Sequence, residues 1–182
     1  MATALAVAEA IAAVCAPNEG DNTPEGDNTP QVAIKWPNDV LVGGKKVCGI
    51  LIETSEGIAI LGMGLNVNGS LVGDAELATR ATTLADAFGH SISREALAIE
   101  LLQRLDAAYT SLQQGGDEAR RVLREAWRDR LITLGQRVTI RQTGGQGEAT
   151  LTGVAQDVAD DGALLLRRDD GRRMVITWGD VE

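Results

Sequence analysis

Two neighbouring stretches of the chain decide its fold: Lys35-Trp36-Pro37-Asn38-Asp39-Val40 and Lys46-Val47-Cys48-Gly49-Ile50-Leu51-Ile52-Glu53. Between them lies Gly43-Gly44, a turn signal, because the tightest β-hairpin turns need positive φ angles that glycine adopts readily. The sequence therefore predicts a hairpin in which residues 40–42 pair with residues 45–53.

Pro37 is expected to interrupt a longer first strand. Residues 31–34 are predicted to begin this strand, and residues 40–42 to continue it beyond the interruption. Proline has no amide hydrogen and disfavours helical geometry in the residue before it, so the ladder must break there. Such a break among Lys, Trp, Asn and Asp often marks a functional site.

Counting outward from the glycine turn predicts which side chains share a face. Leu41 would oppose Lys46 and Asp39 would oppose Cys48, which places all four on one side of the hairpin. Asp39 and Lys46 would then be diagonal neighbours, about 7–8 Å apart at the backbone. Two interpretations stay open: a surface ion pair worth at most about 1 kcal/mol, or a charged pair lining a cleft that receives an anion.

A third stretch, Gly62-Met63-Gly64-Leu65-Asn66-Val67-Asn68, follows a predicted strand at residues 58–62. Glycines in this position indicate a tight turn or a close approach of the backbone to a ligand. A two-glycine match is common by itself, so this stretch gains meaning only beside the first two.

The remaining chain predicts helices, and then a change of pattern near residue 130. Helices are expected over residues 2–14, from an N-cap at Ser93 and over residues 117–130. The apolar face of the second helix is predicted to contain Leu97, Leu101, Leu105, Ala108, Tyr109 and Leu112. Short strands separated by Gly- and Asp-rich turns then indicate a small five-stranded barrel. Its predicted core includes Val138, Ile140, Leu151, Val154, Leu164, Leu166, Val175 and Trp178. We therefore expect two domains, residues 1–130 and 131–182.

Composition narrows the class of function. The net charge of −9 opposes binding to nucleic acid, and no apolar run approaches the roughly 20 residues that span a bilayer. Cys15 and Cys48 lack metal-ligand spacing, so buried free thiols in a reducing cytoplasm are expected and no protein-held metal is predicted. A tandem repeat of Glu-Gly-Asp-Asn-Thr-Pro at residues 19–30 is expected to be a solvated loop.

Taken together and in this order, the three stretches resemble the catalytic domain of biotin–protein ligases. The resemblance implies an α+β fold: a mixed β-sheet flanked by helices, followed by a small Src-homology-3-like barrel. It also implies a ligase that joins biotin to ATP with Mg²⁺, giving biotinyl-adenylate, and passes the biotinyl group to a lysine of a biotin carboxyl carrier protein. The implied location is cytoplasmic.

The matched motifs also imply roles for individual residues. Lys46 matches the lysine that contacts the biotin carboxylate and the reacting phosphate, and Asp39 matches an acid near the adenylate and the incoming lysine. These two are the expected catalytic residues. The expected substrate-binding residues are Lys35, Trp36, Pro37, Asn38, Gly49, Gly64 and Asn66.

One departure from the family pattern leaves alternatives open. Family members carry a Gly-Arg-Gly-Arg-x-Gly loop upstream of these motifs, and Met1 falls after the corresponding place. The chain by itself is therefore expected to be impaired, and to self-associate or need a complementing N-terminal chain. The alternatives are a non-catalytic ligase-like remnant or subunit and, less favoured by the motifs, a lipoate–protein ligase.

Overall fold

The computed structural model describes residues 1–15, 29–69, 75–144 and 147–182, so most of the tandem repeat lies outside the described residues. The described helices are α1 Ala2–Cys15, α2 Ala75–Arg80, α3 Leu84–Phe88, α4 Arg94–Gln114 and α5 Gly116–Arg128. The described strands are β1 Val32–Lys35, β2 Asp39–Val42, β3 Lys45–Ser55, β4 Ile58–Leu65, β5 Arg137–Gly144, β6 Gly147–Val158, β7 Leu164–Arg167, β8 Arg173–Ile176 and β9 Asp180–Val181.

The first sheet has four antiparallel strands in the order β1-β2-β3-β4. Gly43 and Gly44 form the turn between β2 and β3 with φ angles of 56° and 80°, which confirms the hairpin. The expectation that β1 and β2 are one interrupted strand is wrong, because the chain reverses at residues 36–38 and Val32 pairs with Val42. Asn38 explains the reversal: its side-chain amide and its backbone carbonyl both bond to Ile50 on β3, so the turn folds down against that strand.

A register shift in β3 changes the predicted pairing of β2 on the far side of Leu41 from the turn. Leu41 opposes Lys46 as predicted, but the shift lies between Val40 and Leu41, so that Val40 opposes Cys48 and Asp39 opposes Gly49. The extra residue is Val47, which is fully buried. Burial of this additional side chain explains a β-bulge, which sequence counting from a turn does not reveal. Cys48 is therefore wrongly predicted to share a face with Asp39.

The core of the first unit lies between this sheet and the helices. α1 packs against β1, β2, α4 and α5, and its side chains from Ala4 to Ile11 are almost all buried. On α4, Leu97 is buried, while Leu101, Leu105, Ala108 and Leu112 are partly buried, close to the predicted face. Tyr109 is wrongly included in that face, because its side chain is 63% exposed. It follows Leu105 by four residues and so lies about 40° beyond the edge of the buried stripe, on the exposed side of the helix.

The second sheet has five antiparallel strands in the order β8-β7-β6-β5-β9, as expected for the small Src-homology-3-like unit. Its buried core includes Val138, Ile140, Leu164, Leu166 and Ile176. Val175 and Trp178 are wrongly predicted to be core residues, because they are 63% and 50% exposed. Alternation along β8 turns Ile176 inward and therefore turns Val175 outward. The named strands pair antiparallel, and isolated parallel bridges join Ile34 to Leu131 and Lys46 to Ala81.

Side chains of α5 form contacts with the second sheet and with the turn after β6. Trp127 is 1% exposed, Arg128 forms two hydrogen bonds to the Asp157 carboxylate, and Arg124 pairs with Asp160. Two arginines of α5, Arg124 and Arg128, therefore link this helix to the C-terminal unit. Among the described residues, no helix is both long enough and apolar enough to cross a bilayer.

Candidate active site

Four predicted site residues form one row across the first sheet. Lys35 on β1 opposes Asp39 on β2, Asp39 opposes Gly49 on β3, and Gly49 opposes Gly64 on β4. Directly opposed residues share a face of a sheet, so all four lie on the same face. The row has charged side chains at one end and bare backbone at the other, an arrangement that suits a ligand with an anionic group and a flat body.

Lys46 opposes Leu41 on β2, and its side chain extends from there to Asp39 in the row. Its Nζ lies 2.6 Å from Oδ1 of Asp39, with 44% of the Lys46 side chain and 21% of the Asp39 side chain exposed. A pair this accessible contributes little to stability, about 1 kcal/mol or less. The Lys46 ammonium is therefore held in place by Asp39 and is still open to an anion.

Gly49 leaves the space that this ion pair occupies. A Cβ atom added at Gly49 would lie 3.2 Å from both Cε and Nζ of Lys46 and 3.7 Å from Oδ1 of Asp39. A side chain there would push the Lys46 side chain aside. The absence of a side chain at this position thus leaves room for the observed position of the Lys46 ammonium.

The turn at residues 36–38 is held on two sides. Trp36 is 2% exposed; its backbone N–H donates to Oγ1 of Thr133 and its indole N–H donates to the Gly162 carbonyl, each at 3.0 Å. On the other side, the Asn38 amide donates to the Ile50 carbonyl at 2.6 Å. The Trp36–Pro37 peptide bond is cis. The turn leads directly into Asp39.

Asn66 lies just past the end of β4, where its contacts are structural. Its backbone N–H donates to the Val47 carbonyl at 2.8 Å, and its side-chain amide donates to the Thr82 carbonyl at 3.2 Å. The Thr82 N–H in turn donates to the Lys46 carbonyl at 2.9 Å. Asn66 therefore ties the segment before α3 to the strand that carries Lys46.

A cleft of about 630 Å³ opens beside the turn. It is lined from the first sheet by residues that include Asn38 and Leu51, and from the second sheet by residues that include Arg141 and Trp178. The cleft adjoins the Asp39–Lys46 pair through Asn38, without including either charged side chain. Met1, Thr3 and Ala4 of α1 also line the cleft, whereas the row of site residues does not.

The pKa of the Cys48 thiol depends on its burial and on the nearby charges of Asp39 and Lys46. Burial raises the pKa of Cys48 to about 11; the Asp39 carboxylate raises it further, and the Lys46 ammonium opposes that effect. Cys48 is thus a protonated core residue behind the site. No cluster of His, Cys, Asp or Glu suited to a metal ion occurs in the part of the chain that the structure describes.

Sequence reasoning missed some residues around the site. Gly62, outside the predicted set, lies on the same face as Gly64 because the two are separated by one residue on β4. Alternating Gly-x-Gly within a strand was the available signal. Thr133 and Gly162, which hold Trp36, are 97 and 126 residues away from it in sequence, and nothing local marks them.

Comparison with known proteins gives the family. Residues 1–69 match the model of the biotin/lipoate A/B protein ligase family, and residues 133–182 match that of the biotin protein ligase C terminal domain. The chain is 32% identical over 180 residues to the biotin–[acetyl-CoA-carboxylase] ligase of Paracoccus denitrificans, an alignment that covers 94% of this chain and 67% of that protein. The chain belongs to the biotin protein ligase family.

Other biotin protein ligases agree with this assignment. The biotin–[acetyl-CoA-carboxylase] ligase of Mycobacterium tuberculosis is 35% identical over 151 residues, which is 83% of this chain and 53% of that protein. This chain thus spans about half the length of that relative. The crystal structure of the biotin protein ligase from Aquifex aeolicus superimposes with a TM-score of 0.79 at 25% identity, covering 100% of this chain and 71% of that one. The Aquifex aeolicus protein is also known in complex with biotin and ATP.

Proposed function

We propose that this protein activates biotin with ATP to form biotinyl-adenylate, and then transfers the biotinyl group to a lysine of a biotin carboxyl carrier protein. The observation that carries the proposal is the Lys46–Asp39 pair, with Nζ and Oδ1 2.6 Å apart, on a sheet face that continues into Gly49 and Gly64. The relatives named above are ligases for biotin, and the Aquifex aeolicus protein binds biotin and ATP.

In the first step, a carboxylate oxygen of biotin attacks the α-phosphorus of ATP and pyrophosphate leaves. Negative charge builds up on the phosphoryl oxygens as the new bond forms. The Lys46 ammonium, held by Asp39, stabilises that charge without first having to reorient. In the second step, the amine of the carrier lysine attacks the biotinyl carbonyl, AMP leaves, and the amine loses a proton. Asp39 lies beside Lys46 and is the carboxylate placed to accept that proton.

The remaining site residues would bind and orient the substrates. Gly49 and Gly64 form a floor on which a flat ligand can rest against the backbone, and Lys35 adds a second cation beside Asp39. Asn66, whose amide bonds to the Thr82 carbonyl, would contact the nucleotide. Pro37 and Asn38, in the turn that leads into Asp39, line the adjoining cleft and would contact a substrate that extends into it.

Magnesium would enter as part of the substrate, bound to ATP. Mg²⁺ in nucleotide sites is held mainly by phosphates and water, with one or two carboxylates from the protein. Asp39 is the carboxylate in the row described above, and it is already paired with Lys46. The residues present therefore suit a metal that ATP carries, rather than a dedicated protein cage.

We also propose that a protein partner binds near the turn of the β3–β4 hairpin. Leu51, Ile52, Ile58 and Ile60 are 61%, 48%, 67% and 60% exposed, and large exposed apolar side chains of this kind mark interaction surfaces. This exposure supports self-association or a complementing chain at that edge. The two buried free cysteines support a reducing, cytoplasmic location.

The decisive test uses protein expressed from its complete reading frame, with biotin, MgATP and a purified biotin carboxyl carrier domain. Biotin-dependent exchange of pyrophosphate into ATP and labelling of one carrier lysine are the expected results. Lipoate in place of biotin is the matched control. Binding of biotin without either reaction would instead identify a non-catalytic member of the family, and preferential use of lipoate would contradict the proposed substrate.

A further inference from the structure

Trp36 connects the second sheet to the site. The indole N–H donates to the Gly162 carbonyl in the turn between β6 and β7, and the backbone N–H donates to Oγ1 of Thr133, which is 3% exposed. Trp36 itself is 2% exposed. Both N–H donors of this residue are thus bonded to the C-terminal part of the chain.

The turn that contains Trp36 is connected to the Asp39–Lys46 pair by the backbone and by two hydrogen bonds. Asn38 bonds to Ile50 twice, through its amide at 2.6 Å and through its carbonyl, which accepts the Ile50 N–H at 3.1 Å. Asp39 follows immediately and opposes Gly49, the residue before Ile50. A displacement of the turn would therefore reach Asp39 through the backbone and through the Asn38–Ile50 bonds.

We infer that Trp36 is a positioning residue through which the second sheet fixes the Asp39 carboxylate, and with it the Lys46 ammonium, in the geometry that the proposed adenylation needs. This inference rests on the proposed function. The chemistry explains the need: a donor that stabilises a transition state must be in place before the reaction, and a misplacement of about 1 Å costs about 100-fold in rate.

A purely packing role for Trp36 makes a different prediction. The second sheet is also held by a second link, in which the side chain of Arg128 on α5 bonds to that of Asp157 on β6. If the second sheet merely stabilised the protein, loosening it at Arg128 and loosening it at Trp36 would have similar consequences. If Trp36 positions Asp39, only the change at the turn would affect the reaction.

Matched variants separate the two roles. Thr133→Val removes the acceptor for the Trp36 N–H with little change of volume, whereas Thr133→Ser keeps the hydroxyl. Trp36→Phe keeps an aromatic ring but loses the bond to Gly162, and Arg128→Ala loosens the second sheet elsewhere. We expect Thr133→Val and Trp36→Phe to lower kcat for pyrophosphate exchange about tenfold or more, with KM for ATP nearly unchanged. Thr133→Ser and Arg128→Ala should stay close to the parent.

A second measurement does not depend on activity. Hydrogen exchange at the Ile50 amide, which donates to the Asn38 carbonyl, reports whether the turn is held; the Ala155 amide, which donates to the Gln136 carbonyl, corrects for global stability. The ratio of the Ile50 rate to the Ala155 rate should rise in Thr133→Val and Trp36→Phe, and stay at the parent value in Thr133→Ser and Arg128→Ala.

The outcomes distinguish this inference from the function on which it rests. A parent protein without biotin-dependent exchange would contradict the proposed function, and the Ile50 ratio would then still show whether Trp36 holds the turn. An active parent in which Arg128→Ala lowers kcat as much as Thr133→Val would overturn the inference. So would unchanged kcat and an unchanged Ile50 ratio in the Thr133→Val and Trp36→Phe variants.

Discussion

Lys46 carries the charge on which the proposed adenylation depends most. Removing one preorganised donor to a developing negative charge typically costs about 2.7–4 kcal/mol of transition-state stabilisation, or about 10²–10³ in rate. We expect Lys46→Ala to lose that much in pyrophosphate exchange. Stability should change by less than about 1 kcal/mol, because the ion pair with Asp39 is accessible to solvent.

Lys45 is the matched control for this variant. It is adjacent in sequence but opposes Val42, so it lies on the other face, where its Nζ donates to the Ala78 carbonyl. Lys45→Ala should keep near-parent activity. Near-parent exchange in Lys46→Ala would show instead that the Lys46–Asp39 pair is structural.

A substitution at Gly49 would reduce the space around the Lys46 ammonium. A Cβ atom there would lie 3.2 Å from Cε and Nζ of Lys46, so Gly49→Ala should displace the lysine and lower pyrophosphate exchange by about tenfold or more. Gly69→Ala is the control, since a Cβ atom there meets nothing within 4 Å. Equal activity of the two variants would mean that the Lys46 side chain adapts without cost.

At the scale of elements, the short helix α3 depends on its cap. Thr83 is 1% exposed, and its Oγ1 accepts a hydrogen bond from the Asp86 N–H at 3.0 Å. Replacing an N-cap threonine by alanine typically costs about 1 kcal/mol. We expect Thr83→Ala to lower the free energy of unfolding in urea by about that amount, whereas Thr83→Ser retains the cap. Similar losses in both variants would assign the effect to the Thr83 methyl group.

The β2–β3 hairpin shows how one element was predicted in part. Its turn followed from Gly43-Gly44, because two successive positive φ angles are costly for other residues. Its register beyond Leu41 did not follow, because the bulge depends on where Val47 finds room in the core. The Asp39–Lys46 contact survived this error, since the register shift kept both residues on one face.

At the scale of the whole molecule, the two cysteines make stability depend on alkaline pH. Burial raises the pKa of both Cys15 and Cys48 from 9.0 to about 11. A raised pKa in the folded state means that stability is fully present below about pH 9 and falls as pH rises toward 11. The loss should be a few kcal/mol at most.

Urea unfolding at pH 8 and pH 10.5 measures this loss. The comparison is between the parent and a double variant with Cys15→Ala and Cys48→Ala, in which the difference between the two pH values should be smaller. A difference in stability between the two proteins at pH 8 does not affect the result, because the comparison uses only the change between pH 8 and pH 10.5 in each protein. An equal pH dependence in both proteins would assign the alkaline loss to other groups.

The sequence by itself determined the family resemblance, the α+β class, most elements and the Asp39–Lys46 pair. Each of these rests on local information: a glycine turn, an N-cap at Ser93, an apolar stripe, or a motif of adjacent residues. Periodicity assigned the faces of α4 and of the later strands less well. It wrongly placed Tyr109 and Val175 in the core, and it included Trp178, which lies beyond the end of β8 and is exposed. The division into domains at residue 130 stays a prediction.

Tertiary structure alone decided how the site is assembled. The reversal at residues 36–38, the row from Lys35 to Gly64 and the bonds from Trp36 to Thr133 and Gly162 all join residues through strand pairing or across the two sheets. Such contacts depend on which buried groups find partners once the chain is compact, and an unpaired buried N–H is costly enough to select one arrangement. No local pattern encodes that choice, because the partner that satisfies Trp36 lies about a hundred residues away.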